Sequence, residues 1–433
     1  MCNRAKTIVF SSARNLFFAG GTLLLFVGFQ AGASIGVSWQ MQLGNPSTAS
    51  ADTNNHDHYL IQRAVEAIDY NDRLGEPNWV SWDLTVSDIG SSGRSSSFYT
   101  DTNLPPNFNR VKYSDYTYSG YDRGHMCPSE DRTDNTNDNK AVFFMSNIVP
   151  QTPDNNQGVW GNLENYCQAL AQAGNELLII CGPSSFDGAR INTNGPVYIP
   201  GYTWKIAVIV QPGSGSALSR INYGTRVIAV NVPNIAGIRS VPWTNYLTSV
   251  NQIQMNTGFI FFTALPAHVA AVLRAKVDGM PMENITSFSP IGGSANAQVT
   301  IIGTNFTAAS AVEFNGMNAA FTVNSSNKIT AFVPVGATTG AISVIAPGGF
   351  ATSSNSFTVM PVTPPTLTFA LTNSNALVIS WPSDSTGFVL QSNSLLGTTH
   401  WIDVTNVPVL VNNQNQVIFS TATGNNFFRL FHP

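Results

Sequence analysis

The stretch Tyr121-Asp122-Arg123-Gly124-His125-Met126-Cys127-Pro128 places an imidazole beside an acid, a guanidinium and a glycine. Imidazole titrates near neutrality, so His125 is expected to exchange a proton in that range. Arginine holds a phosphate through paired donors better than any other side chain, which makes Arg123 the candidate phosphate contact. Gly124 lets the backbone turn where the histidine must project. On its own this octapeptide is equally a surface turn carrying an ordinary ion pair. A second stretch adds weight, because Ser146-Asn147-Ile148-Val149-Pro150-Gln151 leads into a polar run from Asp154 through Asn155, Asn156 and Gln157 to Glu164. Asp154 or Asn155 is expected to cap the helix that follows, but capping accounts for one of these residues and not for the run. Asn156 and Glu164 stand two turns apart, about 12 Å along a helix axis. That spacing favours one direct metal ligand and one supporter acting through water over two direct ligands.

The elements that must hold these groups follow from apolar patterning. Asn78 to Leu84 alternates like a half-buried strand, while Leu177–Cys181, Trp204–Val210 and Thr225–Val230 read as buried strands closed by Gly, Pro or Asn. Val159, Trp160, Leu163, Cys167, Leu170 and Ala171 recur at three- and four-residue steps, the apolar face of one helix ended by Gly174 and Asn175. Charge divides the chain of 433 residues. Between 51 and 283 there are 15 basic and 21 acidic residues, whereas from 284 onward there are two basic (Lys328, Arg429) and three acidic (Glu313, Asp384, Asp403). Almost all titratable chemistry therefore lies in the first half, and the boundary is expected near Asp278-Gly279-Met280-Pro281. The second half reads as β throughout, with short runs broken by Gly, Asn and Pro.

Taken together, Asp122-Arg123-Gly124-His125, Pro150-Gln151-Thr152-Pro153-Asp154-Asn155-Asn156, Trp160-Gly161-Asn162-Leu163-Glu164 and Thr225-Arg226-Val227-Ile228-Ala229-Val230-Asn231 resemble the DNA/RNA non-specific endonucleases of the ββα-metal superfamily, closest to their cyanobacterial sugar-non-specific branch. The resemblance implies an α+β nuclease domain over about 36–280, with a mixed or antiparallel sheet core. It implies His125 as general base, Asn156 as the one protein ligand of Mg²⁺ (with Mn²⁺ an admissible substitute), and Glu164 as the residue that positions the ion's hydration water. Arg94, 31 positions before His125, would join Arg123 in binding substrate phosphate and stabilising its charge, and products would carry 5′-phosphates. Mg²⁺ suits so sparse a site because it keeps much of its hydration shell. Where close members carry an arginine one turn after the glutamate, this chain has Gln168, which should weaken phosphate binding without abolishing chemistry. Downstream, Pro290, Val299–Phe306, Val312–Gly316, Ile329–Pro334 and Pro347-Gly348-Gly349 resemble the immunoglobulin-like IPT/TIG module, implying a β-sandwich over 284–360. Pro361 to Pro365 reads as a stiff linker, and the remainder of 361–433 as a small β domain of unassigned role.

Bulk properties bound the rest. The net charge is −4 and only 10% of residues are charged, so nothing global advertises a nucleic-acid partner, and affinity for DNA or RNA is expected to be modest and strongly salt-sensitive. Arg4, Lys6 and Arg14 precede an apolar run, Leu16 to Phe29, and Ala31-Gly32-Ala33 supplies small residues for cleavage. Residues 1–33 are therefore expected to be a signal peptide, with secretion to an extracellular, cell-surface or periplasmic location and no membrane span once the signal is removed. Cleavage leaves Cys127, Cys167 and Cys181. An oxidising compartment admits one disulfide among them, with Cys167–Cys181 the favoured pair. His56-Asp57-His58 reads as a solvated segment before a metal site, and zinc at His125, Cys127, Cys167 and Cys181 fits no common finger spacing. His268, His400 and His432 are isolated. The low-charge second half suits protein or carbohydrate contact and is expected to be dispensable for catalysis. The rival to an endonuclease is a catalytically inert adhesion or binding protein that retains the nuclease fold.

Overall fold

The computed structural model describes residues 39–433, except 193–194, 362–364, 373–375, 384–386, 396–398, 421–425 and 432–433. The expected signal peptide, Cys2, Asp384 and His432 lie outside the described residues.

The first half is built on a six-stranded sheet of β1 (Tyr59–Gln62), β2 (Ala67–Asn71), β3 (Glu76–Leu84), β6 (Glu176–Arg190), β7 (Tyr198–Val210) and β8 (Arg226–Pro233), every neighbouring pair antiparallel. Between β3 and β6 the chain forms β4 (Asp122–His125), α1 (Thr136–Ala141), β5 (Ile148–Gln151) and α2 (Gly161–Gln172). After β7 come α3 (Ala217–Arg220), then α4 (Val250–Thr257) and α5 (Ala267–Ala275) beyond β8. Alternation sends Val80, Trp82, Leu177, Ile179, Ala207, Ile209, Ile228 and Val230 to one face of the sheet, where they pack with Val149, Trp160, Leu163 and Cys167. The opposite face carries Trp79, Leu178, Ile180, Trp204, Ile206, Val208 and Ala229 and meets Val250, Ile253, Phe261, Val269 and Leu273. Burial on both faces explains why these strands read as unbroken apolar runs. It also corrects the half-buried expectation for Asn78–Leu84. β3 lies inside the sheet, where Ser81 Oγ donates to the Gln40 carbonyl at 2.7 Å and Asp83 Oδ2 accepts from Gln42 Nε2 at 3.0 Å.

The second half contains two small β structures. Strands between Asn284 and Val359 form one four-stranded and one five-stranded sheet around Val299, Ile301, Phe306, Phe314, Ile329, Val344 and Phe357. Beyond Thr368, further strands gather around Ile379, Trp381, Leu390 and Val417. Among the described residues, no helix is long and apolar enough to cross a membrane.

The junction near residue 280 is packed. Tyr223 stacks on Phe350 with centroids 4.5 Å apart, and Val272 and Ala275 of α5 meet Ile345. The Val277 amide donates to the Pro347 carbonyl at 2.8 Å, and the Gly348 amide to Glu283 Oε1 at 2.8 Å. A chain ending at Glu283 uncovers this apolar surface. With about 2–3 kcal/mol lost for uncovering side chains of this kind, and roughly 2–4 °C per kcal/mol in a domain of this size, its melting temperature should fall by about 5–10 °C. Differential scanning calorimetry checks this, and an unchanged melting temperature would show the junction to be energetically idle.

Candidate active site

β4 and β5 pair in antiparallel register, Asp122 opposite Gln151 and His125 opposite Ile148, and α2 follows directly. This strand–strand–helix unit holds four of the five anticipated site residues. Gly124 is required by a close approach more than by a turn, since a Cβ there would stand 1.8 Å from Gln151 Oε1. Arg94 arrives from the loop after β3. The Arg94 side chain donates to Ser129 Oγ at 2.9 Å and pairs with Glu130 at 2.8 Å.

His125 is buried, with 7% of its surface exposed, and sits between Phe98 (5.2 Å, tilted) and Phe143 (4.6 Å, edge-on). Arg94 lies 5.1 Å over Phe143, and Arg123 lies 5.4 Å over Phe98 and 3.9 Å over Tyr113. The rings of Tyr113, Phe98 and Phe143 thus form a row, with centroids 6.3 and 5.1 Å apart, that seats Arg123, His125 and Arg94 along it. Burial, reinforced by the positive charge of Arg94, lowers the His125 pKa to about 3. The geometry gives the reason: imidazolium needs an acceptor for each N–H, and Nε2 is buried with no partner. The expectation that His125 titrates near neutrality is therefore corrected. Its environment keeps the ring neutral, in the proton-accepting form, across the whole physiological range.

Asn156 lies in a π-helical turn, Asn155–Trp160, that runs into α2. A π turn changes the helical phase, so the eight positions from Asn156 to Glu164 are not spaced as in a regular α-helix. Asn156 Nδ2 donates to Asp122 Oδ2 at 2.9 Å, and Gln157 Nε2 donates to the same oxygen at 2.7 Å. A carboxylate only accepts, so the amide nitrogen must face Asp122 and the amide oxygen is the atom left for another partner. An amide oxygen is a hard ligand, the kind Mg²⁺ selects. The expected cap is also corrected. Asp154 accepts instead from the Gly237 amide at 2.6 Å and from Arg239 Nε at 3.0 Å, while the buried Asn155 donates to Thr203 Oγ1 at 3.0 Å. Thr152 Oγ1 receives the Asn155 amide at 3.3 Å.

Glu164 projects from α2 with only 16% of its side chain exposed, and Lys205 Nζ stands 3.4 Å from its Oε1. Burial raises the Glu164 pKa to about 7 against the opposing pull of Lys205. Burial works against the Lys205 ammonium, and Glu164 is the leading charge that outweighs it and leaves the group above its usual range. Lys205 also lies 4.2 Å over the Trp160 ring. Gln168, in the place of an expected arginine, donates to Asp131 Oδ1 at 3.0 Å. The cation beside the glutamate therefore comes from β7.

Two contributors escaped the sequence reading. Asp122 was read as the histidine's acidic neighbour and is instead the partner of Asn156. Lys205 had a signal, a lone charge inside the apolar strand Trp204–Val210. Among the described residues, no three His, Cys, Asp or Glu side chains converge as a metal set. His56 and His58 pair separately with Asp72 at 2.6 Å and Asp69 at 2.8 Å, as parts of the local fold. Cys127, Cys167 and Cys181 are all free and buried, so the favoured Cys167–Cys181 bridge is absent; Cys181 Sγ points instead at the Met126 carbonyl, 3.5 Å away.

The family model described as DNA/RNA non-specific endonuclease matches residues 44–268, and that of the IPT/TIG domain matches residues 284–359. A nuclease of Nostoc sp. is 43% identical over 243 residues, 56% of this chain and 87% of the relative. The mitochondrial nuclease EXOG of Xenopus laevis is 28% identical over 252 residues, covering 54% of this chain and 68% of the relative. Human mitochondrial EXOG is 30% identical over 211 residues, 46% of this chain and 55% of that protein.

Proposed function

This chain belongs to the DNA/RNA non-specific endonuclease family, and from that premise we propose that it is exported and hydrolyses phosphodiester bonds of DNA and RNA in a Mg²⁺-dependent reaction, leaving 5′-phosphates. The observation that carries the reading is a buried histidine set in one row with two guanidinium groups. A neutral ring can take a proton from a water attacking phosphorus. Arg123 and Arg94 flank it and offer donors to the charge that gathers on phosphate oxygens. Asn156, turned by Asp122, would hold the metal through its amide oxygen, with Glu164 ordering water nearby. When bound, the ion supplies positive charge to the phosphate and the departing 3′ oxygen. The export component rests on the composition of residues 1–33 alone.

Incubation of the purified chain with supercoiled plasmid and with total RNA tests the proposal. Nicking of both in Mg²⁺, restored by Mn²⁺ after chelation, with fragments that ligase accepts without prior phosphorylation, is the expected result. Cleavage that is unaffected by chelator would overturn the metal dependence. The chain ending at Glu283 should cut at a rate close to the full chain when assayed below its lowered melting temperature, since Arg94, Arg123, His125, Asn156 and Glu164 all precede residue 165.

A linkage experiment addresses Glu164. With its pKa near 7, the metal-free protein holds a proton there that a nearby cation displaces. Mg²⁺ uptake should release close to one proton at pH 6 and almost none at pH 8.5, measured by calorimetry in buffers of different ionisation heat. Glu164→Gln should abolish the release. Equal proton release by the variant would assign it to another group.

A further inference from the structure

We propose that Tyr113 is a positioning residue that holds Arg123 in readiness for substrate phosphate through its ring face; this rests on the nuclease reading above. The two guanidinium groups of the site are held in different ways. Arg94 is tied to the Glu130 carboxylate, so a phosphate must compete with, or share, an existing anion. Arg123 has no carboxylate partner among the described residues. Its guanidinium lies 3.9 Å over the Tyr113 ring and 5.4 Å over Phe98, and its buried Nε has no hydrogen-bond partner. A ring face attracts the cation without occupying the N–H groups along its edge. Those donors stay available for the paired contact that guanidinium makes with phosphate oxygens.

The clamp is built into the fold. Tyr113 opens a short helical turn, Tyr113–Tyr116, and the residue before it, Lys112, donates its backbone N–H to Asp115 Oδ2 at 2.8 Å. Tyr116 at its end is 2% exposed, packed among Val111, Met145, Ile148, Ile191 and Val197. Asn192, from the β6–β7 connection, donates to the Asp115 carbonyl at 2.8 Å and to the Thr117 carbonyl at 3.2 Å. The backbone under Tyr113 is thus anchored at several points, while the residue remains 51% exposed. An exposed aromatic ring on a fixed turn, set 3.9 Å from a guanidinium that has no carboxylate partner among the described residues, has little packing to provide. What it provides is direction for the guanidinium, and with it a phosphate site that carries no built-in competitor.

The test is a double-mutant cycle on the full chain, read as KM and kcat on a fluorescent oligonucleotide in Mg²⁺. Because Tyr113 is exposed, Tyr113→Ala should fold normally, raise KM by about 3- to 30-fold, the range a cation–π contact spans, and lower kcat by no more than the same factor, since Arg123 also faces charge that develops in the reaction. Tyr113→Phe keeps the ring and should match the native chain. Tyr113→Asp supplies a carboxylate that competes with phosphate and should raise KM at least as far as alanine does. In an Arg123→Ala background, Tyr113→Ala should change KM by less than twofold. An unchanged KM in Tyr113→Ala overturns the inference. So does a full KM effect persisting without Arg123, which would mean that the ring contacts substrate directly. If the native chain cuts nothing, the nuclease reading fails on its own; the four proteins of the cycle (native, Tyr113→Ala, Arg123→Ala and the double variant) then report on Tyr113 through oligonucleotide binding by fluorescence anisotropy, with the same two outcomes deciding.

Discussion

His125→Ala is expected to reduce plasmid cleavage by 10²- to 10⁴-fold, the range typical of losing a general base. The side chain is also a packing group, wedged between Phe98 and Phe143 and 7% exposed. Alanine therefore leaves a hole, and a fall of a few degrees in melting temperature should accompany the loss of rate. His125→Gln fills more of that space and should recover stability without recovering activity, which separates the two effects. The hole also permits a positive control. Free imidazole that enters it should restore part of the rate in the alanine variant and none in the glutamine variant. The pH dependence then differs in kind. In the native chain the ring titrates near pH 3, so His125 imposes no slope between pH 5 and 8. Rescue by free imidazole, whose pKa is close to neutral, should rise with pH across that window as the base loses its proton. A His125→Ala chain that cuts plasmid at a near-native rate would remove the histidine from the mechanism.

The contrast between those two pH profiles marks where the amino-acid sequence stops being informative. Asp122 to His125 and Asn156 to Glu164 are visible because each is a local pattern, and one strand pair and one helix suffice to bring them together. The same patterns say nothing about Phe98 and Phe143, the residues that strip His125 of solvent and set its proton affinity, because they enter from separate loops. The pairing of Lys205 with Glu164 was hidden for a related reason. Lys205 is five residues from the end of β7 and over forty from Glu164, and only the antiparallel order of the sheet beside α2 makes them neighbours. The π turn at Asn155–Trp160 is a deviation from regular helical phase that periodicity reads as noise. The Cys167–Cys181 pair was favoured because a helix and the strand after it carry the two residues, whereas the direction of Cys181 Sγ toward the Met126 carbonyl is a property of packing. The strand order of the sheet was likewise out of reach; β3, β6, β7 and β8 were legible from their apolar runs, while β1 and β2, each only four or five residues long, were not.

The second large effect is expected at Asn156, where the orientation of one amide group is the whole argument. Asp122 Oδ2 accepts from Asn156 Nδ2 at 2.9 Å, so Oδ1 is presented away from the carboxylate. Asn156→Ala removes that oxygen. Its Mg²⁺ requirement should move to higher concentration by more than the 10- to 100-fold typical of losing an outer partner of a ligand, and its rate at saturating metal should remain far below native. Asn156→Asp is the sharper variant. It keeps an oxygen but loses the N–H, and it sets two carboxylates side by side where one amide and one carboxylate had been. A pair of anions attracts the cation more strongly while cancelling more of the charge that the phosphate needs. The aspartate chain should therefore bind Mg²⁺ at least as tightly as the native one and still cut slowly. Asp122→Ala, which frees the amide to rotate, should fall between, with metal affinity down by about 10- to 100-fold. Rate against Mg²⁺ concentration for all three, alongside direct metal binding by calorimetry, distinguishes them. If the Asn156→Ala curve overlays the native curve, the metal is held elsewhere and the contact with Asp122 is only a helix-end hydrogen bond.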